Sequence, residues 1–404
     1  MESKTPFIVG IGPGNQEYLC PVVKNVIEKA DVLIGGKRNL EEFSYLKKET
    51  LAIDKSLAPI LTYIKDNYSK KAITILASGD TGLFSIRAYL QKNLSEVPFT
   101  VLPGISSLQY LMAKKNLNWN ELKIVTLHGN DTLNLCNTVA RNKTTAIFTG
   151  GENTPAAIAQ RLQALQYANL RLTVGEYLSY PNERIIDGTP EEIAAMSFDD
   201  LSLLIAENPD VDKQPWQYLT PGLPDQAFCR DEVPMTKSEI RALILSKLRL
   251  KADSLVLEIG SGSGSCTVEM ALTAYEGKVW TIEKNPAAVT LCKKNLAKFG
   301  LDNVTVLTGN APDDIPELPA FDRMFIGGSG GNMKDIIGKY TQPMRLCISA
   351  ITLESVSEAL EAMHTCGFKD IEIIQAAVAR SKEAGTKHLM MGLNPITIIS
   401  GERK

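Results

Sequence analysis

The sequence predicts an α/β protein built as two domains, and three observations carry that expectation. Short runs rich in Val, Ile and Leu alternate with longer helix-like stretches along the whole chain. At 404 residues the chain exceeds one ordinary core and suits two domains of about 200 residues each. An apolar strand running into alternating glycines, Leu255 to Gly264, begins only at mid-chain and leaves the first half to a domain of its own.

In the first half, strand Phe7–Val9 leads into Gly10-Ile-Gly-Pro-Gly14, and a helix is expected over about 17–30 with Pro21 early in it. Strands follow at Val32–Gly36, Ala72–Ala77, Thr100–Leu102, Lys123–Leu127, Ala146–Phe148, Leu172–Val174 and Leu201–Ile205. Several end in small or polar loops, as expected where a site gathers at the carboxyl ends of sheet strands. Residues 209–232, rich in Pro, Asp and Gln, read as a linker between domains 1–208 and 233–404. The second domain opens with a helix over 237–249, then the 255–264 strand and loop and a helix at 265–275. Strand Lys278–Glu283, a helix near 286–299, strand Val304–Leu307 and strand Met324–Ile326 come next. The last runs into Gly327-Gly-Ser-Gly-Gly331.

Composition narrows the class. With 44% hydrophobic and 22% charged residues, the chain has the make-up of a soluble globular protein. No apolar run approaches the roughly 18 residues of a membrane span, and Met1–Pro6 leaves no room for a signal peptide before the first strand. Seven cysteines without a Cys-x-x-Cys pair and three histidines disfavour a disulfide framework or a zinc site, and fit a cytoplasmic location. A net charge of −3 argues against nucleic acid as the main partner.

The loop Gly260-Ser261-Gly262-Ser263-Gly264 places its third glycine one residue earlier than the dinucleotide fingerprint, with Ser265 in the expected place. Glu283 follows 23 positions after Gly260, at a strand end, where a carboxylate can receive ribose hydroxyls. An acidic residue, Glu258, before Gly-x-Gly-x-Gly is the pattern of Rossmann-like S-adenosylmethionine methyltransferases; the competing reading is a plain turn, and Glu258 itself either shapes the loop or approaches the methionine amine. Gly327, Gly328, Ser329 and Gly330 leave bare backbone where a large flat substrate could lie.

Further motifs extend the pattern. Val233–Arg241, the glycine loop, Gly309-Asn-Ala-Pro312, Phe325–Asn332, Ala350–Glu354, Asn394-Pro395 and Ile398–Gly401 occur in order. Together they resemble the decarboxylating precorrin methyltransferases of cobalamin biosynthesis, which act at carbon 15. The resemblance covers residues 225–404 and implies that Thr236, Gly260 to Ser265, Glu283 and Ala311 surround S-adenosylmethionine. In the first half, Gly10–Gly14, Ser78-Gly-Asp80, Pro103–Ser107, Leu127-His-Gly129, Gly151–Pro155 and Gly175–Pro181 resemble the tetrapyrrole methylases that act at carbon 5 of a precorrin.

That second resemblance implies a different fold, two α/β subdomains with the cofactor in their cleft. It makes Gly79, Asp80, Ile105, Ser106, Ser107, His128 and Gly129 the expected cofactor wall. Gly12, Pro13 and Gly14 would face the tetrapyrrole, and members of that family often carry Asn where this chain has Tyr177. His128 has two readings, a proton shuttle or a hydrogen-bonded structural residue. The implied substrate bears many carboxylates, so basic residues should hold it. Among Arg230, Lys237, Arg380, Lys382 and Lys387, the preferred pair is Arg380 and Lys382 in the loop containing Gly385. Absence of a catalytic triad fits positioning chemistry, and the carbon-15 resemblance also implies a homo-oligomer. Three other functions compete: a two-domain methyltransferase for another substrate, a nicotinamide dehydrogenase opposed by the short glycine spacing, and a non-catalytic corrinoid carrier.

Overall fold

A computed structural model describes residues 5–54, 56–127, 134–165, 168–213, 216, 218 and 220–404. The chain forms two compact units, Met1–Asn130 with Thr144–Gln160 and Arg171–Glu207, and Asp131–Lys143 with Arg161–Leu170 and Asn208–Lys404. Among the described residues, no helix is long and apolar enough to cross a membrane.

The first unit holds two sheets. One is all parallel, β1 (Phe7–Gly10), β2 (Val32–Gly35), β3 (Glu49–Ala52), β4 (Ile73–Ala77) and β5 (Thr100–Leu102), in the order β3-β2-β4-β1-β5. Residues of β2 and β4 are buried throughout, which is why they read as unbroken apolar runs. The expected helix at 17–30 starts later, at Pro21, because a proline without an N–H fits the first helical position, where no intrahelical partner exists. The other sheet, β6 (Lys123–Thr126), β7 (Thr144–Phe148), β8 (Arg171–Glu176), β9 (Arg184–Gly188) and β10 (Ser202–Glu207), is mixed, in the order β6-β7-β10-β8-β9. Strands β3 and β9 were not expected from sequence, since both sit at sheet edges, where polar residues replace an apolar run.

The second unit is built around a seven-stranded sheet. Strands β11 (Leu255–Ile259), β12 (Lys278–Glu283), β13 (Val304–Thr308), β14 (Arg323–Ile326) and β15 (Met344–Ala350) are parallel, and β16 (Lys369–Ala376) and β19 (Ile396–Arg403) are antiparallel to their neighbours. Their order is β13-β12-β11-β14-β15-β19-β16. The sequence order reverses between β11 and β14, which opens a crevice at their carboxyl ends. Both glycine loops emerge there. Strands β17 (Ala379–Ala384) and β18 (Lys387–Gly392) form a separate ribbon, so Arg380 and Lys382 lie on a strand and not in the expected loop.

The stretch expected as a linker is irregular but not loose. Leu223 and Phe228 are buried in an apolar cluster with Val268, Cys292, Leu296 and Phe299. Arg241, wholly buried, pairs with Asp225 Oδ1 (2.9 Å) and Glu269 Oε1 (2.6 Å), and its guanidinium lies 4.7 Å from the Phe228 ring centre. Glu269 also accepts from the N–H groups of Gly222 (2.7 Å) and Leu223 (3.0 Å), and Arg241 donates to the Thr236 carbonyl.

Gly264 shows what the third loop glycine is for. It precedes helix Ser265–Thr273 with φ +77°, and a Cβ there would lie 2.7 Å from Cys292 Sγ and 2.9 Å from Cys292 Cα on helix Pro286–Lys298. Gly264→Ala is expected to lower stability by about 3 kcal/mol through backbone strain and overpacking, read as a reduced urea midpoint with an unchanged m-value.

Candidate active site

At the reversal point of the second sheet lies a cavity of about 600 Å³. The first glycine loop supplies Gly260, Ser261, Gly262 and Ser263, and the head of the next helix supplies Ser265. Thr236, Glu283 and Ala311 line other walls. The second glycine loop contributes Gly327, Gly328, Ser329 and Gly330. The structure thus brings the sequence-selected residues of this half together, except Gly264, which faces the neighbouring helix, and the basic pair. The two loops nearly touch: a Cβ at Gly260 would come within 3.1 Å of the Gly328 backbone, whereas one at Gly328 meets no described atom within 4 Å.

Glu283 is a brace as well as a wall. Its Oε2 accepts the Gly262 N–H (3.0 Å) and its Oε1 the Asn285 N–H (2.9 Å), tying the glycine loop to the start of the next helix. Each carboxylate oxygen retains acceptor capacity for a ligand hydroxyl. Glu258 differs. It is fully buried, its Oε2 accepts from the Thr267 hydroxyl, and its Oε1 has no hydrogen-bond partner. The hydroxyls of Ser261 and Ser263 are likewise buried without a partner. Burial, aided by the neighbouring Glu283 charge, pushes the Glu258 carboxyl up to about 7, more than the Thr267 and Thr281 hydroxyls lower it.

Arg380 donates to Asp225 Oδ2 (2.7 Å), to Ser238 Oγ (3.0 Å) and to Glu239. Burial alone would raise Asp225, but the hydrogen bonds from Arg380 and Arg241 outweigh it and hold the carboxyl below its ordinary value. Among the described residues, neither Arg380 nor the exposed Lys382 lines the cavity. Its basic residues are Lys237, one of the sequence candidates, and Lys284, which sequence reasoning passed over although it directly follows Glu283. Lys284 Nζ stands 3.7 Å from where a Gly330 Cβ would be, beside the bare loop. Asn310, Asn332 and Phe325 also line the cavity and had no spacing signal of their own.

In the first unit, the carboxyl ends of β1, β4 and β5 converge so closely that side chains are excluded. A Cβ at Gly104 would lie 2.3 Å from the Gly79 carbonyl oxygen and 2.6 Å from that of Gly10. Asp80 bridges the loops, accepting the N–H of Gly82 (2.7 Å) and of Gly104 (3.0 Å). Ser106 caps helix Ser107–Lys114 in a reciprocal box with Gln109, and Ile105 is half-buried between them and Gly104. Gly79, Asp80, Ile105, Ser106 and Ser107 therefore share one rim. Gly12 bridges to Gly79 through paired backbone hydrogen bonds (2.9 and 3.2 Å). Beyond Pro13, Gly14 lies under the Tyr180 ring, whose hydroxyl donates to Glu42 Oε1 (2.6 Å). Tyr177 has φ +46°, a conformation that Asn adopts more readily. His128 and Gly129 lie outside the described residues.

The raised Glu258 sets a sign for stability against pH. The folded chain keeps a proton that the unfolded chain releases above its ordinary value of 4.5, so stability falls as pH rises between 4.5 and about 7. Glu258→Gln lacks that term and is expected to gain about 3 kcal/mol on the wild type between about pH 4.5 and 8, measured by urea unfolding of both proteins at each pH.

Residues 226–403 match the family described as precorrin methyltransferase domain, and residues 7–194 match that described as tetrapyrrole (corrin/porphyrin) methylases. The probable cobalt-precorrin-6B C(15)-methyltransferase (decarboxylating) of Saccharolobus solfataricus is 44% identical over 196 residues, 46% of this chain and 98% of that protein. Its counterpart from Pyrobaculum aerophilum is 42% identical over 192 residues, 46% of this chain and 97% of the relative. Among solved structures, the precorrin-6Y C5,15-methyltransferase of Geobacter metallireducens is similar at 33% identity and a TM-score of 0.44, covering 46% of this chain and 100% of that one. The precorrin-6Y methylase of Archaeoglobus fulgidus is similar at 19% identity and a TM-score of 0.42, covering 51% and 98%. With a relative so similar matched along nearly its whole length, the chain belongs to the family of the decarboxylating precorrin methyltransferases, and it is an S-adenosylmethionine-dependent enzyme.

Proposed function

We propose that the chain methylates a precorrin or cobalt-precorrin at carbons 5 and 15 and removes carbon dioxide from an acetate side chain, as a step of cobalamin biosynthesis. Residues 1–208 carry the carbon-5 activity and 233–404 the carbon-15 activity with decarboxylation, each with its own cofactor site. The reading includes a cytoplasmic location and a homo-oligomer. The observation that supports it most is the cavity of about 600 Å³ at the β11/β14 reversal. Its buried polar atoms without partners, Glu258 Oε1, Ser261 Oγ and Ser263 Oγ, fit a ligand with both cationic and hydrogen-bonding groups.

In the second half, Glu283 would take the ribose hydroxyls, Thr236 and Ala311 would flank the cofactor, and Gly260 to Ser263 would admit it against backbone. S-adenosylmethionine, when bound, supplies an electrophilic methyl group. A meso carbon of a reduced tetrapyrrole is enamine-like and already nucleophilic, so the protein's task is alignment and exclusion of water. The side-chain-free Gly327–Gly330 backbone gives the flat macrocycle a surface to lie on. Lys237 and Lys284 would hold its non-reacting carboxylates. In decarboxylation, the electron pair of the breaking carbon–carboxylate bond flows into the protonated, conjugated macrocycle. The carbon left behind then takes up a proton and becomes a methyl group. In the first half, Gly79, Asp80, Ile105, Ser106, Ser107, His128 and Gly129 would form the cofactor wall, with Gly12, Pro13 and Gly14 towards the tetrapyrrole.

Mass spectrometry of the product formed from precorrin, in metal-free and cobalt-loaded forms, tests this. The wild type should add two methyl groups and lose one carbon dioxide; unchanged substrate with both forms would refute the reading. Glu283→Ala should weaken cofactor binding in the second site by about tenfold or more, giving a product with one methyl added and all carboxyls retained. Asp80→Ala should give the complementary product, methylated at carbon 15 and decarboxylated.

A further inference from the structure

The motif Ala350–Glu354 takes no part in the chemistry above, yet its Ile351 lines the second cavity. The motif ends β15, which runs parallel to β14 with Ile348 opposite Ile326. The chain therefore leaves the sheet at two neighbouring places. One exit is the bare Gly327–Gly330 loop after β14, and the other is the turn Ile351–Leu353 after β15.

That turn presents apolar side chains to water. Ile351 is 68% exposed and Leu353 is 83% exposed. A single exposed leucine is ordinary on a protein surface. Two large apolar residues flanking one turn beside a cavity offer a patch that a ligand can cover.

The turn is held in place. Thr352 Oγ1 accepts the Ser355 N–H (3.1 Å) and caps helix Leu353–Thr365. From the same helix, Glu358 Oε1 accepts the Met333 N–H (2.9 Å) at the head of helix Met333–Gly338, which follows the glycine loop. Ile336 and Ile337 of one helix and Ala359, Ala362 and Met363 of the other are buried in one apolar cluster. The bare loop and the apolar turn are thus mounted on packed helices that fix their separation. Charge decides which part of a ligand meets the turn. Among the described residues, the basic residues lining the cavity are Lys237, next to Thr236, and Lys284, beside Gly330. The turn itself brings no cation, and the exposed Glu354 that follows it repels carboxylates.

We infer, resting on the reading of this cavity as the carbon-15 site, that Ile351 and Leu353 form its apolar jaw and grip the ring carbons of the tetrapyrrole. The face of the macrocycle then lies against Gly327–Gly330, and its carboxylates reach Lys237 and Lys284. The two side chains move no proton and carry no methyl group. They select: an uncharged edge of a flat ring system is accepted, and an edge bearing a carboxylate is refused.

Steady-state kinetics of the full-length protein on precorrin test this, with carbon-15 methylation and carbon dioxide loss followed by mass spectrometry. Ile351→Thr and Leu353→Asn nearly keep side-chain size and remove apolar surface. Each should raise KM for the tetrapyrrole by about tenfold, with kcat within about twofold of wild type. Leu353→Asp should raise KM further than Leu353→Asn, and Leu353→Met should keep the wild-type KM. Ile373→Ser, at a half-exposed position on β16 that does not line the cavity, should leave KM unchanged. Affinity for S-adenosylmethionine, measured by calorimetry, should be the same in all of them. If the wild type turns over and neither Ile351→Thr nor Leu353→Asn moves KM, the apolar grip is overturned and the assigned reaction stands. Cofactor affinity falling in step with tetrapyrrole affinity would also overturn it. So would a raised KM that accompanies loss of an oligomer in light scattering, which makes the turn a contact between copies. A wild type that adds no methyl group at carbon 15 would end the reading of the site, and the grip with it.

Discussion

The second unit depends on one wholly buried cation. Arg241 draws together Asp225, Glu269 and the carbonyls of Leu223 and Thr236, residues that lie within and after an irregular stretch. Among its described residues that stretch holds only the short helical turns Val211–Lys213 and Asp225–Ala227, so many of its backbone groups need partners supplied by side chains. Glu269 takes two of its N–H groups, Asn295 takes that of Cys229, and Asp225 takes that of Ser238 at the head of a helix. The network fixes where Thr236 and Lys237 meet the cavity. Removing one partner of such a pair typically costs about 3–5 kcal/mol, because the other charge stays buried. Here the loss would also release a wall of the site.

Glycine serves the two halves in different ways. At Gly10 and Gly104, strand ends are stacked so tightly that an added Cβ would fall within 3 Å of neighbouring backbone, so these glycines are consumed by packing. At Gly328 the space is open, and the missing side chain leaves room for a ligand. The same residue type therefore builds a scaffold at some strand and helix ends and a vestibule at the Gly328 loop. A glycine motif in sequence does not separate these uses; the distance to the nearest backbone does.

Much of the second site was legible because it is local. Strand, glycine loop, helix and the acidic strand end follow one another within Leu255–Glu283, and strand alternation predicts their direction. Arg380 was not legible in this way. Its partner Asp225 lies 155 positions away, and no periodicity announces an ion pair of that separation. What read as a substrate-binding loop is a paired ribbon with its arginine committed to Asp225, Ser238 and Glu239. Strands β3 and β9 escaped notice for a related reason: edge strands bury little, so burial leaves little pattern in their residues. Gly264 belonged to the motif by spacing, but its task, close contact with Cys292, became visible only in three dimensions.

Strand β19 lies between β15 and β16, although β16 precedes it in the chain. β16 pairs with β19, and β15 has its second neighbour in β19 as well. During folding, therefore, the parallel half of the sheet can assemble while β15 still presents an open edge. β16 has no place in the sheet until residues 396–403 arrive. The last strand acts as a keystone, and order in the sheet's outer third is imposed backwards along the chain. A chain interrupted before that strand would expose both an unpaired edge and an unplaced strand, the surfaces most prone to pairing with other molecules.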